Sequence, residues 1–337
     1  MGPGTGPFQH VTKLGVGPWE GATAEPVHDE ESADTVHEET VYEALSNAHD
    51  DEGHWAFGTG FDEPLAGVDT TVPDGIDPAD LGAYCLMLGD DALVLAQRLT
   101  QWITNAPELE EEVAIGNIGL DLLGQARLLL ARAGSVGVLG RSRELATDSI
   151  PDEDALAYFR DADEFRNTTL VEAENGDFAR TIVRLLVAAT VRLAVFARLQ
   201  GSRDPVLAAI ATKGVKELTY HRDHAARWVL RLGDGTEESH RRAQDGVLAV
   251  WPLLADLFTA TDVETRLATS GVAVDPADVR DEVRGVLTQV LERATLAVPE
   301  WPADAPPRGR LGQHGPELAE LLDTLQGLAR QHPAATW

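Results

Sequence analysis

Two long apolar segments near the middle of the chain restrict it to a helical architecture. In residues 81–105, apolar side chains recur every three or four positions, the period of a helix buried along one side. They are Leu86, Leu93, Ala96, Leu99, Trp102 and Ile103. Residues 108–133 follow Pro107 and open with four glutamates, and both features suit a first helical turn. We therefore predict two long, packed helices.

The second of these helices carries a polar strip within its apolar run. Asn117, Asp121 and Gln125 are spaced at i, i+4 and i+8, so they lie on one side of the helix. The strip either faces solvent or points into a bundle, as in ferritin-like proteins, which present carboxylates to two metals. Periodicity alone does not choose between these two interpretations.

The chain beyond residue 80 continues as helices separated by turns, and we find no strand-like alternation. Further helices are predicted at residues 152–171, 177–200, 205–232, 237–257, 263–269, 275–295 and 316–330. The predicted fold class is all-α: a ferritin-like helical bundle over residues 81–337 with extra C-terminal helices.

Residues 1–80 differ in composition from the rest of the chain. They hold 18 acidic residues and one lysine, together with many glycines, prolines and threonines. Low hydrophobicity combined with high net charge is typical of disordered segments. We therefore predict an acidic, disordered arm.

Charge and residue usage exclude several functional classes. The net charge is −29, and only three of the 27 basic residues are lysines. An acidic surface nearly free of lysine is typical of halophilic proteins, and it lacks the basic footprint that nucleic-acid binding needs. We find no apolar run that approaches the roughly 20 residues of a membrane span and no hydrophobic signal segment, so we expect a cytoplasmic protein with no membrane part. The single cysteine, Cys85, excludes a disulfide framework.

A di-iron carboxylate bundle needs a Glu-x-x-His pair on each of two helices, because this spacing puts both ligands on one face. The second helix offers Asp121 with Gly124 at the histidine position, and a later helix offers Glu217 with Tyr220 there. His221 follows one residue later, about 100° around the helix. Both ligand pairs are broken, and we expect no metal in this chain.

Several sequence blocks resemble the C subunit of ring-1,2-phenylacetyl-CoA epoxidases. They are GDDALVLAQRL, NIGLDLLGQARLLL, VEAENGDFARTIVR, KELTYHRDHAARWVLRLGDGTEES, GVAVDP and LGQHGPELAELL. The blocks lie in the family's order between Leu81 and Trp337. The acidic arm, residues 1–80, departs from the family pattern.

The resemblance implies a ferritin-like, non-catalytic subunit of a multicomponent oxygenase in aerobic phenylacetate degradation. In such complexes a catalytic A subunit holds the di-iron centre and epoxidises the ring of the CoA thioester. A B subunit bridges the A–C units, and a reductase with FAD and an iron–sulfur cluster supplies electrons from NADPH. This chain would then pair with and stabilise the A subunit and carry no cofactor itself. Asp121, Gly124, Glu217 and Tyr220 would mark a vestigial metal site.

Two alternatives remain open. The chain could itself be a di-iron oxygenase that uses Asp121, Glu217, His221 and His224 as ligands. It could also be a ferritin-like binding protein without a redox partner. Iron content distinguishes the first alternative, and co-purification with a homologous helical subunit distinguishes the second.

A bundle that has lost its metals still needs a cation for its inward carboxylates, since an unpaired buried carboxylate is costly. Arg184 and Arg192 lie eight residues apart and share one helix face; either they reach outward or one enters the bundle. A guanidinium can hold two carboxylates through bidentate bonds. We predict an ionic cluster of Arg184, Asp121 and Glu217 at the bundle centre.

Overall fold

The computed structural model describes residues 65, 67–147, 150–333 and 335, which belong to a unit that runs from Asp62 to Trp337. These described residues form eleven α-helices and no strand, which confirms the all-α class. The helices are α1 (Pro78–Thr100), α2 (Leu109–Ser135), α3 (Gly140–Leu145), α4 (Asp152–Tyr158), α5 (Thr169–Glu172), α6 (Phe178–Leu199), α7 (Pro205–Gly233), α8 (Glu237–Val250), α9 (Asp262–Thr269), α10 (Arg280–Arg293) and α11 (Pro316–Gln331).

Four long helices, α1, α2, α6 and α7, form the central bundle. Helix α1 packs along α2, helix α6 packs along α7, and apolar side chains of all four fill the core. Three of these helices begin after an aspartate whose side chain accepts a first-turn backbone N–H: Asp77, Asp177 and Asp204. Such a cap satisfies a donor that has no partner within the helix. Local sequence therefore fixes where these three helices start.

The shorter helices surround this bundle. Helices α8 and α10 pack against α6 and α7, α9 packs against α1, and α11 packs against α4. The predicted extra C-terminal helices are thus present. The single helix expected over residues 152–171 is wrong, because α4 ends at Tyr158 and α5 begins only at Thr169. Contacts of the intervening segment with α1 outweigh its local helical pattern.

Two adjacent aspartates of α1 hold that intervening segment. Asp90 accepts hydrogen bonds from both terminal nitrogens of Arg160, at 3.0 and 2.5 Å. Asp91 accepts from the backbone N–H of Thr168 at 2.7 Å and pairs with Arg310 at 2.6 Å. The four charged side chains of these two pairs are largely buried. The two aspartates therefore tie two loop segments to the central bundle.

The loop before α11 is held by a buried histidine–glutamate pair. His314 Nδ1 lies 2.6 Å from a carboxylate oxygen of Glu172, and Nε2 lies 3.0 Å from the carbonyl oxygen of Phe165. Burial opposes protonation of His314, but its hydrogen bonds to Glu172 and Phe165 prevail and raise its pKa. The folded protein therefore favours the imidazolium form at this position.

This pair makes stability depend on pH. The folded pKa of His314 lies above the ordinary value of about 6.5. The stabilisation that protonated His314 adds to the fold is therefore fully present below about pH 6.5 and is lost as pH rises through the folded pKa. We expect His314→Gln to lower the melting temperature more at about pH 5.5 than at about pH 9. The exposed His332→Gln variant is the control. An equal loss for His314→Gln at both pH values would contradict the assignment.

The predicted acidic arm lies mostly outside the described residues, which begin with Leu65 and resume at Gly67. Its disorder therefore stays a prediction. The described residues before α1 contact the bundle: Arg132 of α2 donates to the carbonyl oxygen of Thr70 at 2.6 Å. Val72 and Ile76 pack against the core. The segment that leads into α1 is thus attached to the central bundle.

Candidate functional site at the bundle centre

On α2, the side chains that point inward lie one residue beyond the predicted ligand positions. Leu122 and Gln125 are buried, whereas Asp121 is partly exposed and Gly124 is exposed. One residue corresponds to a rotation of about 100° around a helix. The i, i+3 pair that faces the bundle centre is therefore Leu122 with Gln125, and the predicted pair is corrected by one position.

The same offset occurs on α7. Leu218 and His221 are 0% and 1% exposed, whereas Tyr220 is 51% exposed. Glu217 is only partly buried. The inward i, i+3 pair is Leu218 with His221, so the histidine that looked misplaced in the sequence is the one that points into the bundle.

Neither inward pair can serve as a Glu-x-x-His metal motif. Leucine occupies both carboxylate positions, and glutamine replaces one of the imidazoles. In the described part of the chain, no group of three or more His, Cys, Asp or Glu side chains is placed to hold a metal ion. A di-iron centre of the ferritin-like type needs bridging carboxylates, and the residues present do not fit one.

A buried arginine joins the four central helices at this level. Arg192 of α6 donates through Nε to Oε1 of Gln125 at 2.8 Å and through Nη1 to the carbonyl oxygen of Leu88 in α1 at 2.9 Å. Gln125 in turn donates through Nε2 to Oε2 of Glu217 in α7 at 2.8 Å. We call Arg192, Gln125 and Glu217 the Arg192 network; with Leu88 it links α1, α2, α6 and α7.

Arg192 remains a cation in this environment. Burial lowers its pKa to about 10, and the nearby charges of Asp91 and Glu217 act in the opposite direction. Its guanidinium also lies 4.4 Å from the ring centroid of Phe196, a favourable cation–π geometry. A fixed positive charge inside a low-dielectric core opposes the entry of metal cations.

The predicted cluster of Arg184 with Asp121 and Glu217 is wrong, because Arg184 bonds elsewhere and the two carboxylates have separate partners. Arg184 is buried, as expected, and burial lowers its pKa to about 9. Its guanidinium, however, donates to the carbonyl oxygen of Ala173 and to Oδ1 of Asn175, in the loop before α6. Eight residues along a helix span about 12 Å, so Arg184 and Arg192 cannot both lie level with Gln125.

The alternative ligand set, Asp121, Glu217, His221 and His224, is divided among separate pairs. Asp121 Oδ2 lies 3.0 Å from Nε2 of His221, and Glu217 bonds with Gln125. His224 instead lies 3.1 Å from Glu111, and burial lowers its pKa despite this carboxylate. These pairs fasten α2 to α7 and do not converge on one point.

A cavity of about 70 Å³ borders the Arg192 network, between leucines of α1, α2 and α7. This volume suits a few waters, at about 30 Å³ each, and is far below the roughly 300 Å³ of a small organic-ligand site. Arg192 and His221 line it, and Arg192 Nη2 and His221 Nδ1 have no hydrogen-bond partner among the described residues. This cavity is therefore too small for an organic substrate.

The polar strip of α2 combines both interpretations that the sequence allowed. Asn117 is exposed, Asp121 is partly exposed and Gln125 is 3% exposed. Successive members of an i, i+4 series rotate by about 40°, so the strip turns gradually from the surface into the core. Sequence reasoning did not identify Arg192 as the central cation. The feature that could have indicated it is that Arg192 shares one helix face with Arg184.

Helix α2 is also long and apolar enough, by length and composition, to cross a membrane. Of its 18-residue apolar stretch, 44% is buried inside the protein, and core helices of soluble proteins pass the same test. Because α2 packs along α1 and contributes Gln125 to the central network, we interpret it as a helix of the central bundle.

Comparison with known proteins agrees with this architecture. The family model described as phenylacetic acid catabolic protein matches residues 70–337. The chain is 42% identical over 257 residues to the C subunit of the 1,2-phenylacetyl-CoA epoxidase of Escherichia coli K12, a match that spans 76% of this chain and 99% of that protein. The resemblance inferred from the sequence blocks is confirmed, and the chain belongs to the phenylacetic acid catabolic protein family.

Proposed function

We propose that this chain is the non-catalytic C subunit of a phenylacetyl-CoA epoxidase, a multicomponent oxygenase of aerobic phenylacetate degradation. It pairs with a di-iron A subunit, which epoxidises the ring of the CoA thioester, and stabilises that subunit. The match to a protein named as the C subunit of such an enzyme supports membership in a hetero-oligomer. The bridging B subunit and the FAD and iron–sulfur reductase are further partners by resemblance, and the assembly is cytoplasmic.

The observation that carries the non-catalytic role is the Arg192 network. A ferritin-like oxygenase places metals and their ligands between its four central helices. Here Arg192, Gln125 and Glu217 connect these helices by hydrogen bonds. A guanidinium holds the bundle together without metal and leaves the surface helices free to bind a partner. The role of this subunit in the complex is thus structural.

Two alternative functions predict different experimental results. A di-iron oxygenase in its own right would need Asp121, Glu217, His221 and His224 to leave their present partners and converge. A ferritin-like binding protein without a redox partner would keep the present centre but would not associate with an A subunit. The divided pairs disfavour the first alternative, and the name of the similar protein disfavours the second.

Iron analysis of each chain tests the proposal. The chain is expressed alone and together with the A subunit in iron-replete medium, and iron is measured after separation of the two chains. We expect no stoichiometric iron in this chain and a di-iron complement in the A subunit. Two irons per copy of this chain, with the absorption or Mössbauer signal of a carboxylate-bridged pair, would contradict the non-catalytic role.

A further inference from the structure

Helix α2 presents an apolar face to solvent along most of its length. Leu109, Val113 and Leu120 are 69%, 56% and 62% exposed, and Leu123 is also exposed. Their spacing of four, seven and three residues keeps them on one side of the helix. Scattered exposed leucines are common, but a continuous apolar stripe marks an interaction surface.

The stripe forms one wall of a groove of about 560 Å³ between α2 and α1, which Tyr158 of α4 and Leu325 of α11 also line. A second groove of about 460 Å³ begins at the same two residues and extends along α11 past Leu328. The grooves are lined by 15 and 11 residues and share those two. A standard protein interface involves about 20–30 residues on each side, so this surface, which we call the α2 groove, is of interface size.

Gly116, which lines the α2 groove, indicates close approach from outside. A glycine within a helix costs about 1 kcal/mol relative to alanine. A Cβ atom at Gly116 would make only an ordinary contact with Ile103, at 3.8 Å. Packing within this chain therefore does not require a glycine at this position. Glycines on such a face allow the backbone of a partner helix to come near.

Net charge argues against a second copy of the same chain as the occupant. Each copy carries a net charge of −29, and strong like charge opposes self-association. Four glutamates also surround the first turn of α2, beside the exposed Leu109. The complementary partner is a different chain that presents an apolar helix face and is less acidic at its rim.

We propose that the α2 groove is the docking surface for the catalytic A subunit, which would place an apolar helical face against Val113, Leu120 and Leu123. This inference rests on the proposed function, because it takes the A subunit as the partner. The interface would use α1, α2, α4 and α11 and would leave the Arg192 network undisturbed in the core.

Two substitutions that introduce a negative charge test the groove. Val113→Glu and Leu120→Glu place a carboxylate in the apolar stripe, and Leu248→Glu on α8 is the matched control, since Leu248 is 55% exposed and lies outside both grooves. Each variant is co-expressed with the A subunit, and its affinity is measured after purification, with circular dichroism to verify folding. We expect at least a hundredfold weaker binding for the two groove variants and unchanged binding for the control.

A glycine variant provides a second, independent measurement. Gly116→Ala, in the groove, should leave the melting temperature of the isolated chain unchanged or raised, because alanine favours a helix and its Cβ atom would make only an ordinary contact with Ile103. The same variant should weaken binding to the A subunit at least tenfold. Unchanged binding of all three groove variants, with the wild-type complex intact, would overturn the docking surface but not the proposed function.

Other results would separate the two proposals. Failure of the wild-type chain to bind the A subunit would overturn the proposed pairing itself. If the wild-type chain alone forms a dimer that Leu120→Glu disrupts, while the A subunit still binds that variant, the groove joins two copies of this chain and the A subunit docks elsewhere.

Discussion

Arg192→Leu is expected to lower the free energy of unfolding by about 3 kcal/mol, because the buried acceptors on Gln125 and Leu88 each lose a donor at a cost of about 1–3 kcal/mol. For a domain of this size the melting temperature should fall by roughly 6–12 °C. Thermal and denaturant unfolding of the isolated chain measure both quantities. The loss should also weaken coupling between the four central helices, since Arg192 bonds directly or through Gln125 to the other three.

Arg198→Leu on the same helix is the matched control for this experiment. Arg198 pairs with Glu282 at 2.8 Å, but both side chains are more than one third exposed. Exposed ion pairs contribute about 0–1 kcal/mol, so this variant should unfold close to the wild type. If Arg192→Leu proved as stable as Arg198→Leu, the Arg192 network would not be what holds the bundle centre together.

Asp90→Asn is expected to destabilise the fold by about 3–5 kcal/mol, because it leaves the buried guanidinium of Arg160 without its carboxylate. The amide keeps nearly the same size, so the change tests charge and hydrogen bonding and introduces no cavity. The segment between α4 and α5 should loosen first, because Asp90 also accepts from the backbone N–H of Arg166. Unfolding curves and hydrogen exchange of this segment are the measurements.

Asp80→Asn on the same helix is the control for Asp90→Asn. Asp80 accepts two hydrogen bonds from Arg266, each of 2.7 Å, so it is held by a two-point arginine pair as Asp90 is by Arg160. Arg266, however, is 56% exposed, and solvent screens the pair. We expect a loss below about 1 kcal/mol. Similar losses for both variants would mean that burial does not set the strength of the Asp90–Arg160 pair.

The helical architecture follows from the sequence because its signals are local. Apolar periodicity and the residue preferences of first turns each act over a few residues, and such patterns predict α1, α2, α6 and α7. The segment 152–171 was predicted incorrectly for the opposite reason. Its conformation depends on Asp90 and Asp91, which are far away in the chain and add hydrogen bonds that no local pattern reveals.

The absence of a metal-binding motif from α2 and α7 could also be inferred from the sequence. The predicted ligand positions, however, lie one residue before the positions that point into the bundle. In the predicted register, Gly124 and Tyr220 occupy the imidazole positions; in the observed register, leucines occupy the carboxylate positions. Both registers lack a Glu-x-x-His pair. The inference that these helices carry no such motif did not depend on which register is correct.

The sequence by itself determined the family, the four long helices and the absence of this ligand motif from α2 and α7, because each depends on residue identity and spacing along one segment. Only the tertiary structure decided which face of each helix points inward. A step of one residue rotates a side chain by about 100°, and the packing of neighbouring helices fixes that rotation. This rotation put His221 inside and Tyr220 outside, and it placed Arg192 rather than Arg184 beside Gln125. The central cation thus came from the predicted pair of arginines, but the arrangement of four helices chose between them.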